Sequence, residues 1–158
     1  MKFRNGYWLL QPGVKEDPAA QVYDYRFSEG VLTLYCTVRP TEKRNGTVNA
    51  PLLTIELKSV GRDALALRAY HHKGAGPKKP SFPLSLSPRE TWVEEEDNRI
   101  VFHAGRLSAY IQKKPFRIRY YEGARLLTES EGKSLAYMTL PDGSHRMKEE
   151  LSLGVGEL

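Results

Sequence analysis

Apolar and polar residues alternate with a period of two along most of this chain. Tyr23, Tyr25 and Phe27 alternate with Asp24, Arg26 and Ser28, and Leu53, Ile55 and Leu57 with Thr54, Glu56 and Lys58. Successive side chains of a strand point to opposite faces, so such runs predict strands with one face in a core and the other in water. The pattern recurs in Leu32/Leu34/Cys36/Val38, Leu65/Leu67/Ala69, Leu107/Ala109/Ile111 and Phe116/Ile118/Tyr120, while helical spacing is nearly absent.

Turn-forming residues separate the runs: Ser28-Glu29-Gly30, Arg44-Asn45-Gly46, Val60-Gly61-Arg62-Asp63, Asp97-Asn98, Ala104-Gly105, Lys113-Lys114-Pro115, Glu122-Gly123 and Pro141-Asp142-Gly143-Ser144. About ten short strands with turns roughly every 8 to 12 residues predict an all-β antiparallel sandwich or barrel. The longest stretch without alternation, Lys73 to Arg89, holds Pro77, Pro80, Pro83 and Pro88 and reads as an extended surface loop. No repeat or low-complexity tract interrupts the chain, and 158 residues are enough for one well-buried core.

Composition narrows the class. Apolar residues at 40% and charged residues at 27% are ordinary for a folded domain and exclude a disordered or fibrous chain. No apolar run approaches the roughly 20 residues of a membrane-spanning helix, and the N-terminus has no basic stretch leading into an apolar segment. A single cysteine, Cys36, allows no internal disulfide. A reducing cytoplasm is the expected compartment, without membrane partners. The net charge of +5 raises the question of nucleic acid. However, Lys43-Arg44, Lys78-Lys79 and Lys113-Lys114 are scattered among acidic runs, so no nucleic-acid partner is expected.

Few residues offer chemistry. A retaining glycosidase needs two carboxyl groups about 5 to 5.5 Å apart, and the candidates are Glu94, Glu95, Glu96 and Asp97, or Glu149 and Glu150. The first group runs into a hairpin turn and the second begins a final strand, without the small or aromatic neighbours of a sugar pocket, so no catalytic residue is assigned. Adjacent His71 and His72 would point to opposite faces of a strand and cannot share a metal, and neither a metal site nor a cofactor site is expected. Cys36 shares the apolar face of Leu34 and Val38, as an inert buried thiol would. Among the aromatic residues Trp8, Trp92, Tyr35, Tyr70, Tyr110 and Tyr121, most are expected in the core or at a domain interface. The polar segment Thr41 to Ala50, with its Asn-Gly turn, should protrude as a loop between two strands.

Three stretches carry a resemblance: Phe3-Arg4-Asn5-Gly6-Tyr7-Trp8-Leu9-Leu10-Gln11-Pro12-Gly13, Gly105-Arg106-Leu107-Ser108-Ala109-Tyr110-Ile111, and the glycine-rich ending Leu151 to Leu158. Together they resemble the N-terminal domain of the α-xylosidase branch of glycoside hydrolase family 31. The match spans residues 1–158 and includes His71, which continues through Gly74-Ala75 to Pro80 and Pro83-Leu84, with Lys79 where the family more often has glycine. The resemblance implies a β-sandwich of the galactose-mutarotase-like type. It implies a non-catalytic role too, with the catalytic aspartates on a (β/α)8 barrel of the same polypeptide acting on an oligosaccharide, in an enzyme that is often a homo-oligomer. Trp8 and His71 would be structural. The Thr41 to Ala50 loop would reach the outer sugar subsite, with Thr47, Val48 and Asn49 as its substrate-binding residues. A free-standing carbohydrate-binding module and a basic barrel for single-stranded nucleic acid are the alternatives.

Overall fold

The computed structural model describes residues 4, 9–42, 48, 50–74 and 86–153. These residues hold twelve strands and no helix: β1 (Lys15–Pro18), β2 (Gln21–Ser28), β3 (Val31–Thr37), β4 (Leu52–Gly61), β5 (Ala64–Tyr70), β6 (Thr91–Glu96), β7 (Arg99–Ala104), β8 (Leu107–Gln112), β9 (Arg117–Glu122), β10 (Arg125–Ser130), β11 (Ala136–Thr139) and β12 (His145–Lys148).

They form three antiparallel sheets. β2 to β5 follow one another in a four-stranded meander, β6 to β10 in a five-stranded one, and β1 joins β11 and β12 in a small third sheet. Tight turns set the meanders. Glu29 and Gly30 both have positive φ, 52° and 74°, which is the backbone of the type I′ hairpin whose twist matches its strands. Gly105, at φ 62°, starts the β7–β8 turn against the Arg89 side chain, where a Cβ would lie 2.9 Å from Cγ.

The two larger sheets face each other through one core. Leu32, Leu34 and Cys36 of β3 and Leu53, Ile55 and Leu57 of β4 meet Ile100 and Phe102 of β7, Ala109 and Ile111 of β8 and Ile118 of β9, all fully buried. The alternation expected on β3, β4, β8 and β9 is the alternation observed, and the fold is an antiparallel β-sandwich. Phe116 lies in the turn before β9 and is buried on the same side.

One expectation needs correction. Tyr23 does not share a face with Tyr25 and Phe27. The β2–β3 register shifts between Val22 and Asp24, so Val22 opposes Cys36 and Tyr25 opposes Leu34. Tyr23 is the extra residue of this bulge and is 42% exposed, since a bulge adds one residue to one strand and breaks the period of two. Of the aromatic residues expected in the core or at a domain interface, the described ones are not in the core. Trp92, Tyr35, Tyr70, Tyr110 and Tyr121 all stand on the outer faces of the sheets, opposite in parity to the core residues of their own strands.

The segment joining β1 to β2 crosses between sheets. The Ala19 amide donates to Leu135, the Ala20 amide to Thr37 in the four-stranded sheet, and the Ala20 carbonyl accepts from Phe116 beside the five-stranded one.

Candidate functional site

The loop between β3 and β4 is the predicted site. Val48 is 65% exposed, while Thr47 and Asn49 lie outside the described residues. What the structure shows is how the loop is held at its base. Gln21 opens β2 with its side chain buried, donating from Nε2 to the Thr41 carbonyl at 2.8 Å and accepting from the Thr41 amide at Oε1, 3.1 Å away. A primary amide carries both a donor and an acceptor, so one side chain satisfies both polar groups of a buried residue's backbone. The Thr37 and Thr41 hydroxyls both donate to the Arg39 carbonyl, at 2.8 and 3.0 Å. At the far end Ala50 rests against the core. The sequence reading missed Gln21, whose only signal is a polar residue two positions before an aromatic run.

The acidic candidates are tied into the surface. Glu95 accepts from Lys113 Nζ and from the Tyr25 hydroxyl, each at 2.5 Å. These two bonds, Lys113 first, hold its carboxyl below the usual range, and the same contact raises the Tyr25 hydroxyl. Glu96 takes Arg99 through two guanidinium nitrogens, at 2.6 and 3.0 Å, in the forked geometry an arginine offers a carboxylate. Glu94 approaches His103 Nε2 at 3.6 Å, beneath a stack of the His103 and Trp92 rings 4.7 Å apart. Glu150 binds Arg4 at 2.7 Å, and partial desolvation raises its neighbour Glu149. Glu95, Glu96 and Glu150 are thus engaged by basic side chains.

His71 has the hydrogen-bonding role expected of it: its Nδ1 donates to the Leu52 carbonyl at 2.9 Å. Its ring meets the edge of Tyr137, which in turn stacks on His145 at 4.9 Å. Among the described residues no three His, Cys, Asp or Glu side chains are grouped to hold a metal. Trp8 and Lys79 lie outside the described residues, as does most of the Lys73 to Arg89 loop. Cys36 is fully buried, and burial pushes its thiol far above the ordinary value. Because the thiolate is the reactive form, the native protein should not react with an aromatic disulfide reagent on the timescale on which the denatured chain reacts completely. Rapid labelling of the folded protein would place Cys36 outside the core.

The class is thus an antiparallel β-sandwich in which two larger sheets share one core and a small third sheet adjoins them. No family model matches the sequence. An α-xylosidase of Lactiplantibacillus pentosus is 24% identical over 159 residues, which covers 99% of this chain and 21% of that protein. Among solved structures, the cycloalternan-forming enzyme of Listeria monocytogenes, in complex with a pentasaccharide substrate, aligns with TM-score 0.59 and 19% identity over 85% of this chain and 11% of its own. An uncharacterized protein of Listeria monocytogenes EGD-e aligns with TM-score 0.57 and 18% identity over 79% of this chain and 11% of its own. The chain spans about a fifth of the curated relative it matches. The sequence likeness to an α-xylosidase runs over nearly the whole chain, and the solved structures share its fold.

Proposed function

We propose that the chain is the non-catalytic N-terminal domain of a retaining α-glycosidase of α-xylosidase type, joined to a catalytic (β/α)8 barrel and helping to shape the substrate entrance and a domain or subunit interface. The observation that carries this reading is the end-to-end sequence match to a named α-xylosidase of which the chain spans only a fifth. The surface supports it. Leu126 and Leu127 of β10 are 46% and 39% exposed, and Leu151 and Leu153 run beside them at 49% and 69%, held there by the Ser152 amide donating to Glu129 and the Thr128 hydroxyl donating to Ser152. Exposed leucines on an edge strand and on the segment bonded to it suit an interface. The cytoplasm remains the compartment proposed.

In the longer polypeptide, hydrolysis of an aryl α-xyloside faster than the aryl α-glucoside is expected, and none from residues 1–158 alone. Asn49→Ala should raise KM for disaccharides several-fold, as the loss of one neutral hydrogen bond of about 0.5 to 1.5 kcal/mol implies, and leave the aryl xyloside almost unaffected. Turnover by the isolated chain would overturn the non-catalytic assignment. Equal effects on both substrates would remove Asn49 from the sugar subsite.

A further inference from the structure

The outer face of the five-stranded sheet holds an open groove of about 650 Å³, running from the β6–β7 turn at Asp97 and Asn98 to the β9–β10 turn at Gly123 and Ala124. Its floor is built by register alone. Gln112 lies between Arg99 on β7 and Arg117 on β9, and Tyr110 lies opposite Arg119. Six-residue strands make it roughly 20 Å long, room for several pyranose units.

We propose that this groove binds a neutral oligosaccharide. The lining combines aromatic rings with planar hydrogen-bonding groups fixed in place. Tyr110 and Tyr121 meet edge to face at 4.7 Å, and the Arg99 guanidinium lies 5.2 Å from the centre of the Tyr110 ring while Glu96 grips it from the side. Arg117 Nη2 donates to Glu129 and Glu131 at 2.6 Å each, and Arg119 Nε to Glu129 at 3.0 Å. Side chains held in this way offer their remaining donors and acceptors with little rotational freedom left to lose, which favours binding of a hydroxyl-rich ligand. Charge separates this ligand from a nucleic acid: the guanidinium groups of Arg99, Arg117 and Arg119 are faced by Glu96, Glu129 and Glu131, leaving no cationic excess to neutralise phosphates. Among the described residues none of the large exposed hydrophobic side chains lines the groove, so it offers a protein partner little aliphatic area to bury. The proposal stands on the groove alone, and holds whether the chain serves an enzyme or a free-standing module.

The test is a titration of the isotope-labelled chain with maltoheptaose and with a xyloglucan heptasaccharide, followed by amide chemical shifts, with an oligothymidylate as the charged control. Saturable shifts centred on Tyr110, Gln112 and Tyr121 with either sugar are expected, together with a roughly five- to tenfold loss of affinity in Gln112→Ala, the size of one hydrogen bond, and no folding change in that variant's spectrum. Absence of shifts at these residues with both sugars, or preference for the oligothymidylate, overturns the proposal. If the isolated chain yields no folded spectrum, migration of the longer polypeptide through gels containing glycogen or xyloglucan decides. Gln112→Ala should abolish part of the retardation while aryl-glycoside hydrolysis is unchanged, and undiminished retardation in both gels refutes the groove. Absence of aryl-glycoside hydrolysis in the unsubstituted polypeptide would refute the enzymatic reading and leave the groove standing.

Discussion

Replacing Phe102 with alanine is expected to lower the unfolding free energy by about 3 to 5 kcal/mol, the usual cost of removing a fully buried aromatic ring. Phe102 has no exposed surface and stands at the centre of β7, with Phe27 of the opposite sheet 6.4 Å away and Ala109 beside it on β8. The small Ala109 makes room for the ring and cannot fill the space it would leave, so the cavity persists. For a domain of this size the melting temperature should fall by roughly 6 to 20 °C, a large part of a total stability of about 5 to 15 kcal/mol. Leu34→Ala, Ile55→Ala and Phe116→Ala should each cost about 2 to 5 kcal/mol. A loss under about 1 kcal/mol at Phe102 would mean that the two sheets do not meet through it.

The second large effect belongs to a charge. Lys148, the last residue of β12, keeps only 8% of its side chain exposed and places its ammonium against the carboxylate of Glu16 on β1, with Glu150 farther off at 3.7 Å. Glu16→Ala should cost about 3 kcal/mol, the lower end of what stranding one partner of a buried pair costs, because Glu150 still offers partial compensation. Replacing both residues, Glu16→Met with Lys148→Met, should recover most of that loss, since neither charge then remains to be desolvated. Denaturant unfolding of the two variants tests this. A double variant as unstable as the single one would show that shape, not charge, sets the cost.

These two residues differ in how far the sequence announced them. Phe102 lies in the run Ile100-Val101-Phe102, where alternation is blurred because Val101 is 2% exposed on the outer face. Its inward direction follows once Val93 and Ala109 are seen to be its cross-strand partners. The cleaner runs on β3, β4 and β8 were legible from spacing alone, because burial of one face imposes the period. Burial of Lys148 was not legible, since it depends on Glu16, which is 132 positions away and whose own strand reads as a polar segment ending in proline. Proline is confined to sheet edges, and β1 is an edge of its sheet. The Tyr23 bulge escaped for a related reason: one inserted residue leaves no trace in composition. In the loop site, sequence supplied a polar segment between two strands, but the Gln21 anchor is a contact across 20 positions that no local pattern encodes. The outer groove is the extreme case. Arg99, Tyr110, Arg117 and Tyr121 come from three strands and are brought together only by pairing register.

The pairing of β1 with β11 also orders events in time. Lys15 lies opposite Thr139, so at a synthesis rate of about 5 to 20 residues per second the first strand waits roughly 6 to 25 s on the ribosome before its partner exists. The β2–β5 meander needs only neighbouring hairpins and can close long before then. Ala20, which joins both large sheets, is therefore tethered to a strand that docks last, and the nascent domain passes through a stage in which the sandwich has begun to form while its N-terminal strand is still an open edge. Such an edge invites pairing with a second nascent chain, a hazard that rises with polysome density and that the late arrival of β11 lessens by covering one side of β1.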